Sequence, residues 1–301
     1  MKSLSGATRV DVTNESSTLQ RKGEQVTFNP SWISGSQVGR STNLARPLLL
    51  GCPAVCRTNW GGRVLAIVGV VALALVPTAH ADSPKKKSTG PAAIALPDSI
   101  DPTLPNVLLI GDSISIGYTV AARKALAGQA NVFRPPTNCG PTSKGVSELQ
   151  AWLGDRKWDV IHFNFGLHDL KYMSPGGKNL ADPKDPKNSK QVSPVDYAAN
   201  LKRIVAGLKK TSAKLIWRET TPVPPGCAGR ISGDSVFYNQ VAREVMDEAG
   251  EIAVDPMHDY ASEPAIADLQ RTANVHYTAE GSKLLGDRVA EAVRRALGKS
   301  D

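Results

Sequence analysis

The sequence predicts one doubly wound α/β domain, a parallel sheet of about five strands with helices on both faces, over residues 105–300. Three observations predict it. Short apolar runs rich in strand-forming residues alternate with segments whose apolar residues recur at helical spacing. The remaining length suits a single domain with no internal repeat. Residues able to do chemistry fall just after the strands, where open α/β sheets keep their sites.

Taken in order, Val107–Ile110 is an unbroken apolar run and predicts a buried strand, and Tyr118–Leu126 has helical character. Ala130–Arg134 is a short second strand leading into the loop Pro135-Pro136-Thr137-Asn138-Cys139-Gly140-Pro141. Ser147–Leu153 suits a helix and Trp158–Phe165 a third strand. Residues 172–194 are polar, with repeated Pro, Gly, Asn and Lys, and predict a long surface loop. Asp196–Lys210 carries Tyr197, Leu201, Ile204, Val205 and Leu208 on one helical face. Lys214–Trp217 is a fourth strand, Val236–Ala249 a helix, Ile252–Val254 a fifth strand, and Ala279–Leu297 the closing helix.

The first third reads differently. Residues 1–62 are rich in Ser, Thr, Gly and Arg and lack a sustained apolar period, so they read as disordered or as an extension ahead of the true start. Residues 63–81 join Arg63, an apolar run from Val64 to Val76, and Ala79-His80-Ala81, the pattern of a signal peptide cleaved near Ala81. The run is short of the roughly 20 residues of a membrane span, so no stable membrane insertion is expected after cleavage. A secreted or periplasmic protein is the expectation. Residues 82–104, which include Lys85-Lys86-Lys87, read as a linker.

Of the four cysteines, only Cys139 and Cys227 would remain after cleavage. An oxidising compartment lets them pair. A disulfide is the expectation carried forward, with two free thiols as the alternative. The net charge of +8 is mostly scattered. There is no arginine–aromatic interleaving, so no nucleic-acid partner is expected. No metal or other cofactor is expected either, because His258 beside Asp259 is not a coordination set.

Four separated segments carry candidate chemistry. Gly111-Asp112-Ser113 places a hydroxyl at the carboxyl end of a buried strand, where it can be a nucleophile given a base and oxyanion donors. Asn138-Cys139-Gly140 follows the second strand, and Asn164-Phe165-Gly166-Leu167-His168-Asp169 follows the third. Asn274-Val275-His276 precedes the last helix. Ser113 could instead cap its helix. His162 sits mid-strand and reads as a core histidine; Phe163, Phe165 and Trp217 read as core or cleft wall.

These blocks resemble the SGNH, or GDSL-like, hydrolase family, most closely secreted bacterial members with Gly-x-His-Asp in place of Gly-x-Asn-Asp. Gly111-Asp112-Ser113 matches its first block, Gly140 the second, Gly166-Leu167-His168-Asp169 the third and Ala273-Asn274-Val275-His276 the last. The resemblance spans residues 105–298. It implies a three-layer, flavodoxin-like α/β/α domain of SGNH hydrolase type and hydrolysis of acyl esters. Ser113 would attack and His276 would serve as base and then acid. The backbone N–H groups of Ser113 and Gly140, with His168, would hold the oxyanion. Asp112, Gly166, Asp169 and Asn274 would support the site, with Asp169 anchoring its loop and Asp112 bonding within its turn.

The chain departs from that family twice. His168 stands where an asparagine amide is expected, and Ala273 stands where the acid of a Ser–His–Asp triad is expected. Asn274, Asp255 and Asp259 are the nearest candidates in sequence to orient His276, leaving a Ser–His dyad or a triad with a displaced acid. The expected substrate is a small acyl ester, acetyl foremost, on carbohydrate or another small molecule. A catalytically silent glycan-binding protein is the alternative, and a lipase or lysophospholipase the third reading.

Overall fold

The computed structural model describes residues 90–299. The segments 1–62, 63–81 and 82–89, read as extension, signal peptide and the start of a linker, lie outside the described residues.

Five strands form one parallel sheet: β1 (Asn106–Ile110), β2 (Asn131–Phe133), β3 (Val160–Phe163), β6 (Lys214–Arg218) and β7 (Ile252–Asp255). Their order is β2-β1-β3-β6-β7, the doubly wound arrangement in which the chain reverses direction across the sheet between β1 and β3. Strand β1 sits near the middle of the sheet, and its Val107, Leu108, Leu109 and Ile110 are buried. Each such side chain contributes about 1.5–3 kcal/mol by burial.

Helices α1 (Ser113–Ala125) and α7 (Ala279–Leu297) pack together on one side. Helices α2 (Thr142–Leu153), α3 (Pro194–Leu208) and α4 (Asp234–Ala249) pack in a row on the other. The α1–α7 crossing is close because position 286 is glycine. A Cβ there would lie 2.7 Å from Ala121 Cβ and 2.8 Å from the Tyr118 carbonyl oxygen.

All five main strands and five helices match expectation, with shifted ends. Helix α1 begins five residues before Tyr118, since Asp112 accepts the Ile114 N–H at 3.0 Å and caps it there. Helix α2 begins at Thr142 rather than Ser147 through a partner far away in sequence. Pro141 offers no side-chain cap, and Asp169 Oδ1 accepts from Thr142 N at 2.8 Å and from its hydroxyl at 2.5 Å. Two short helices, α5 (Met257–Ser262) and α6 (Pro264–Ala267), have no periodic signal to announce them.

Two expectations need correction. The 172–194 loop contains a small antiparallel ribbon, β4 (Tyr172–Met173) paired with β5 (Ser189–Lys190). Residues 90–104 are no free linker. Arg134 N donates to the Ala95 carbonyl at 3.0 Å, Arg123 to that of Ile94 at 2.9 Å, and Asp101 N to Asn131 Oδ1 at 3.0 Å. This segment is therefore tied to the β2 edge.

Candidate active site

The Gly111-Asp112-Ser113 turn joins β1 to the first turn of α1. Because Asp112 is the cap, Ser113 is the first helical residue and its hydroxyl is not consumed as a cap. Its Oγ lies 2.8 Å from His276 Nε2. The Ser113 N–H is at the amino terminus of a 13-residue helix, where N–H groups point outward and favour negative charge.

Behind the turn stands Arg134, a buried residue at the end of β2. Its guanidinium donates to the carbonyls of Pro135 and Thr137, to Ser115 Oγ at 3.2 Å and to the Gly111 carbonyl at 3.4 Å. It thus ties the nucleophile turn to the loop carrying Gly140. In the sequence Arg134 is marked only as the end of a strand.

His276 is oriented by its near neighbour. Asn274 Oδ1 accepts from the His276 backbone N–H at 3.0 Å and lies 2.7 Å from His276 Nδ1. A backbone N–H can only donate, so it fixes the amide with its oxygen, not its nitrogen, toward the histidine. Nδ1 then carries the proton, and Nε2 presents its lone pair to the Ser113 hydroxyl. Burial holds the His276 ring below the ordinary histidine pKa; Arg271 and Arg230 add to this and Asp112 opposes it.

The two other candidates for that role lie elsewhere. Asp255 is buried, 3.1 Å from His162 Nε2 and 3.5 Å from Arg288 Nε, so it serves the core histidine. Asp259 has an 88 % exposed side chain beside His258. Ala273 borders the cleft with φ +50°, a left-handed conformation that costs a non-glycine residue strain.

Of the expected oxyanion donors, Gly140 is already engaged, its N–H donating to Asn138 Oδ1 at 2.9 Å. His168 lines the same cleft as Ser113 and His276. It is half-buried, and burial lowers its pKa, with Lys171 and Arg230 acting the same way and Asp112 opposing. Its loop turns at Gly166, where φ is +149° and a Cβ would come within 2.1 Å of Thr220 Oγ1. Asn164 fastens that loop to the end of β6, donating to the Arg218 carbonyl at 2.8 Å and accepting from the Arg218 guanidinium at 2.8 Å. Asp169 anchors α2 instead of facing the cleft, and burial pushes its carboxyl up to about 7.

Cys139 and Cys227 are both buried free thiols, so the expected disulfide is not formed. Cys139 packs in the core with its N–H on the Gly111 carbonyl, and burial pushes its thiol up to about 12. Cys227 lines the cleft. Among the described residues no cluster of His, Cys, Asp or Glu is arranged to hold a metal ion, and no helix is long and apolar enough to cross a membrane.

The fold is a three-layer α/β/α arrangement, and solved esterase structures share it. An acetyl xylan esterase overlays with a TM-score of 0.51 at 14% identity, over 62% of this chain and 99% of that one. A lipase/acylhydrolase from Enterococcus faecalis overlays at TM-score 0.49 and 17% identity, over 64% and 96%. A catalytic mutant of an acetylxylan esterase from Geobacillus stearothermophilus overlays at TM-score 0.49 and 15% identity, over 65% and 95%. At such identities the likeness is one of fold. No family model and no curated protein sequence matches the chain.

Proposed function

We propose that this protein is an exported serine esterase of the SGNH type that removes small acyl groups, acetyl foremost, from carbohydrate or other alcohols. The observation that carries the proposal is the Ser113–His276–Asn274 chain, with contacts of 2.8 and 2.7 Å at the carboxyl edge of a parallel sheet. The likeness in fold to an acetyl xylan esterase supports the choice of acyl group. Export rests on the signal-like segment 63–81.

Ser113 Oγ attacks the ester carbonyl carbon as its proton passes to His276 Nε2. The oxyanion is held by the Ser113 N–H and a ring N–H of His168. Each such donor is worth about 3–4 kcal/mol of barrier. Collapse breaks the bond to the alcohol oxygen, which takes the proton from Nε2. Water then attacks the acyl-serine, gives one proton to His276, and the acid leaves as that proton returns to Ser113 Oγ. Asn274 keeps Nε2 unprotonated at the start but supplies no negative charge to the imidazolium.

The test is fluorophosphonate labelling of the folded chain with Ser113→Ala as control. Labelling lost only in the variant is expected. A second reading, a silent glycan-binding relative, is favoured by the engaged Gly140 N–H and the neutral orienter. Failure of the folded wild type to label would leave that reading standing.

A further inference from the structure

Arg230 lines the cleft that holds Ser113, His168, Asn274 and His276. Its Nε donates to the Leu167 carbonyl at 3.0 Å, which seats the guanidinium against the loop carrying His168. That contact uses one of the five guanidinium donors. Among the described residues no carboxylate forms an ion pair with Arg230, nor with Lys171, which feels its charge, nor with Arg271, which acts on His276.

The acids nearby do not balance these charges. Asp112 is 2 % exposed and its Oδ1 is committed to the Ile114 N–H. Asp169 is buried and turned to Thr142. The positive charge reaches the site itself, since Arg230 disfavours the protonated form of both His168 and His276. A half-buried cation with no acidic partner is stabilised by an incoming anion more than an exposed one is.

Position adds a second argument. The catalytic cleft, about 420 Å³, adjoins a depression of about 800 Å³ walled by Leu180, Pro183, Lys184 and Ile231. The two share Leu180, Cys227, Ala228 and Arg230. Asp182 is the acid of this second wall; it is exposed, and its Oδ1 accepts the Lys184 N–H. Arg230 therefore stands on the border between the cleft and this depression.

We propose that Arg230 is a specificity-determining residue that pairs with an anionic group, a carboxylate, phosphate or sulfate, on the ester being hydrolysed. The proposal rests on the esterase reading above. Guanidinium geometry suits two-point pairing with such groups.

The experiment compares kcat/KM for matched charged and neutral esters, each corrected for spontaneous hydrolysis. One pair is 4-acetoxybenzoate and its methyl ester, with charge on the alcohol side. The other is 4-nitrophenyl hydrogen succinate and its methyl ester, with charge on the acyl side. The charged member of at least one pair should be preferred about tenfold or more at low salt, the scale of one charge-assisted hydrogen bond. The pair that shows the preference identifies the side carrying the charge. The preference should shrink as sodium chloride is raised. Arg230→Gln should remove most of it and Arg230→Lys should keep part.

A wild type that turns over neutral esters with no preference in either pair overturns the proposal and leaves the esterase reading intact. A preference that survives Arg230→Gln, or one that salt does not reduce, also overturns it. No turnover of any ester, with no labelling of Ser113, overturns the esterase reading and this proposal together. Where Arg230→Gln does not fold, Arg230→Lys supplies the comparison: a preference unchanged in that variant assigns it to another cation and overturns the proposal.

Discussion

Asn274 Oδ1 accepts from the backbone N–H of His276 while lying 2.7 Å from its ring Nδ1. A neutral amide thereby does the orienting that a carboxylate does in a Ser–His–Asp triad, and the backbone donor selects the amide rotamer. Replacing a triad aspartate by asparagine in a serine protease costs about 10⁴ because the imidazole takes the wrong tautomer. That loss is avoided here. What is missing is the charge that stabilises the imidazolium.

Asn274→Asp should therefore raise kcat/KM, by about tenfold or more, and Asn274→Ala should lower it about a hundredfold. Ala273→Asp should give no gain, because the Nδ1 position is already occupied. Steady-state kinetics on 4-nitrophenyl acetate measures all three. A faster Ala273→Asp enzyme would show that the orienting role is still open.

The pH profile follows from the direction of the His276 shift. The base must be neutral, and burial, helped by Arg271 and Arg230, holds its pKa below 6.5. Activity should persist below pH 6.5 and fall on an acid limb centred under that value. Asn274→Asp places a carboxylate on Nδ1, favours the protonated ring and should move the limb upward. A wild-type limb centred above 6.5 would contradict the burial argument.

Asp169 makes a prediction about stability. Burial raises its pKa from 3.8 to about 7, so between those values the folded chain binds more protons than the unfolded one. Stability from this group accordingly falls as pH rises through that window. Asp169→Asn keeps an acceptor for Thr142 and cannot ionise, so its stability relative to wild type should improve from pH 4.5 to pH 7.5. Asp169→Ala should cost about 1–3 kcal/mol by leaving the Thr142 donors unsatisfied. Urea midpoints across pH test this, and a pH-independent gap between Asn and Asp would refute it.

Gly166→Ala should displace the loop that carries His168, since its Cβ has no room beside Thr220 Oγ1. We expect a loss of kcat of about a hundredfold, the scale of one misplaced oxyanion donor, with the sheet intact by circular dichroism. Gly166→Ala with wild-type kcat would remove His168 from the mechanism.

The alternation of strands and helices, the span of α7 and the nucleophile turn were legible in the chain because each depends on residues a few positions apart. The pairing of Ser113 with His276, 2.8 Å apart, was legible too, through the order of the four blocks. Other features lay in partners the local pattern does not contain. Asp169 begins α2 from 27 residues away, and Arg134 braces Gly111 across 23. Asp255, near His276 in sequence, is claimed by His162 across 93 residues, which left the orienting role to Asn274. Local periodicity reports which face of an element is apolar. Only tertiary packing decides which polar group meets which, because a buried donor takes whatever acceptor the fold brings within 3 Å or so. The sequence by itself thus determined the architecture and the turn that carries Ser113. The tertiary structure decided what holds His276 and put an arginine without an acidic partner in the same cleft.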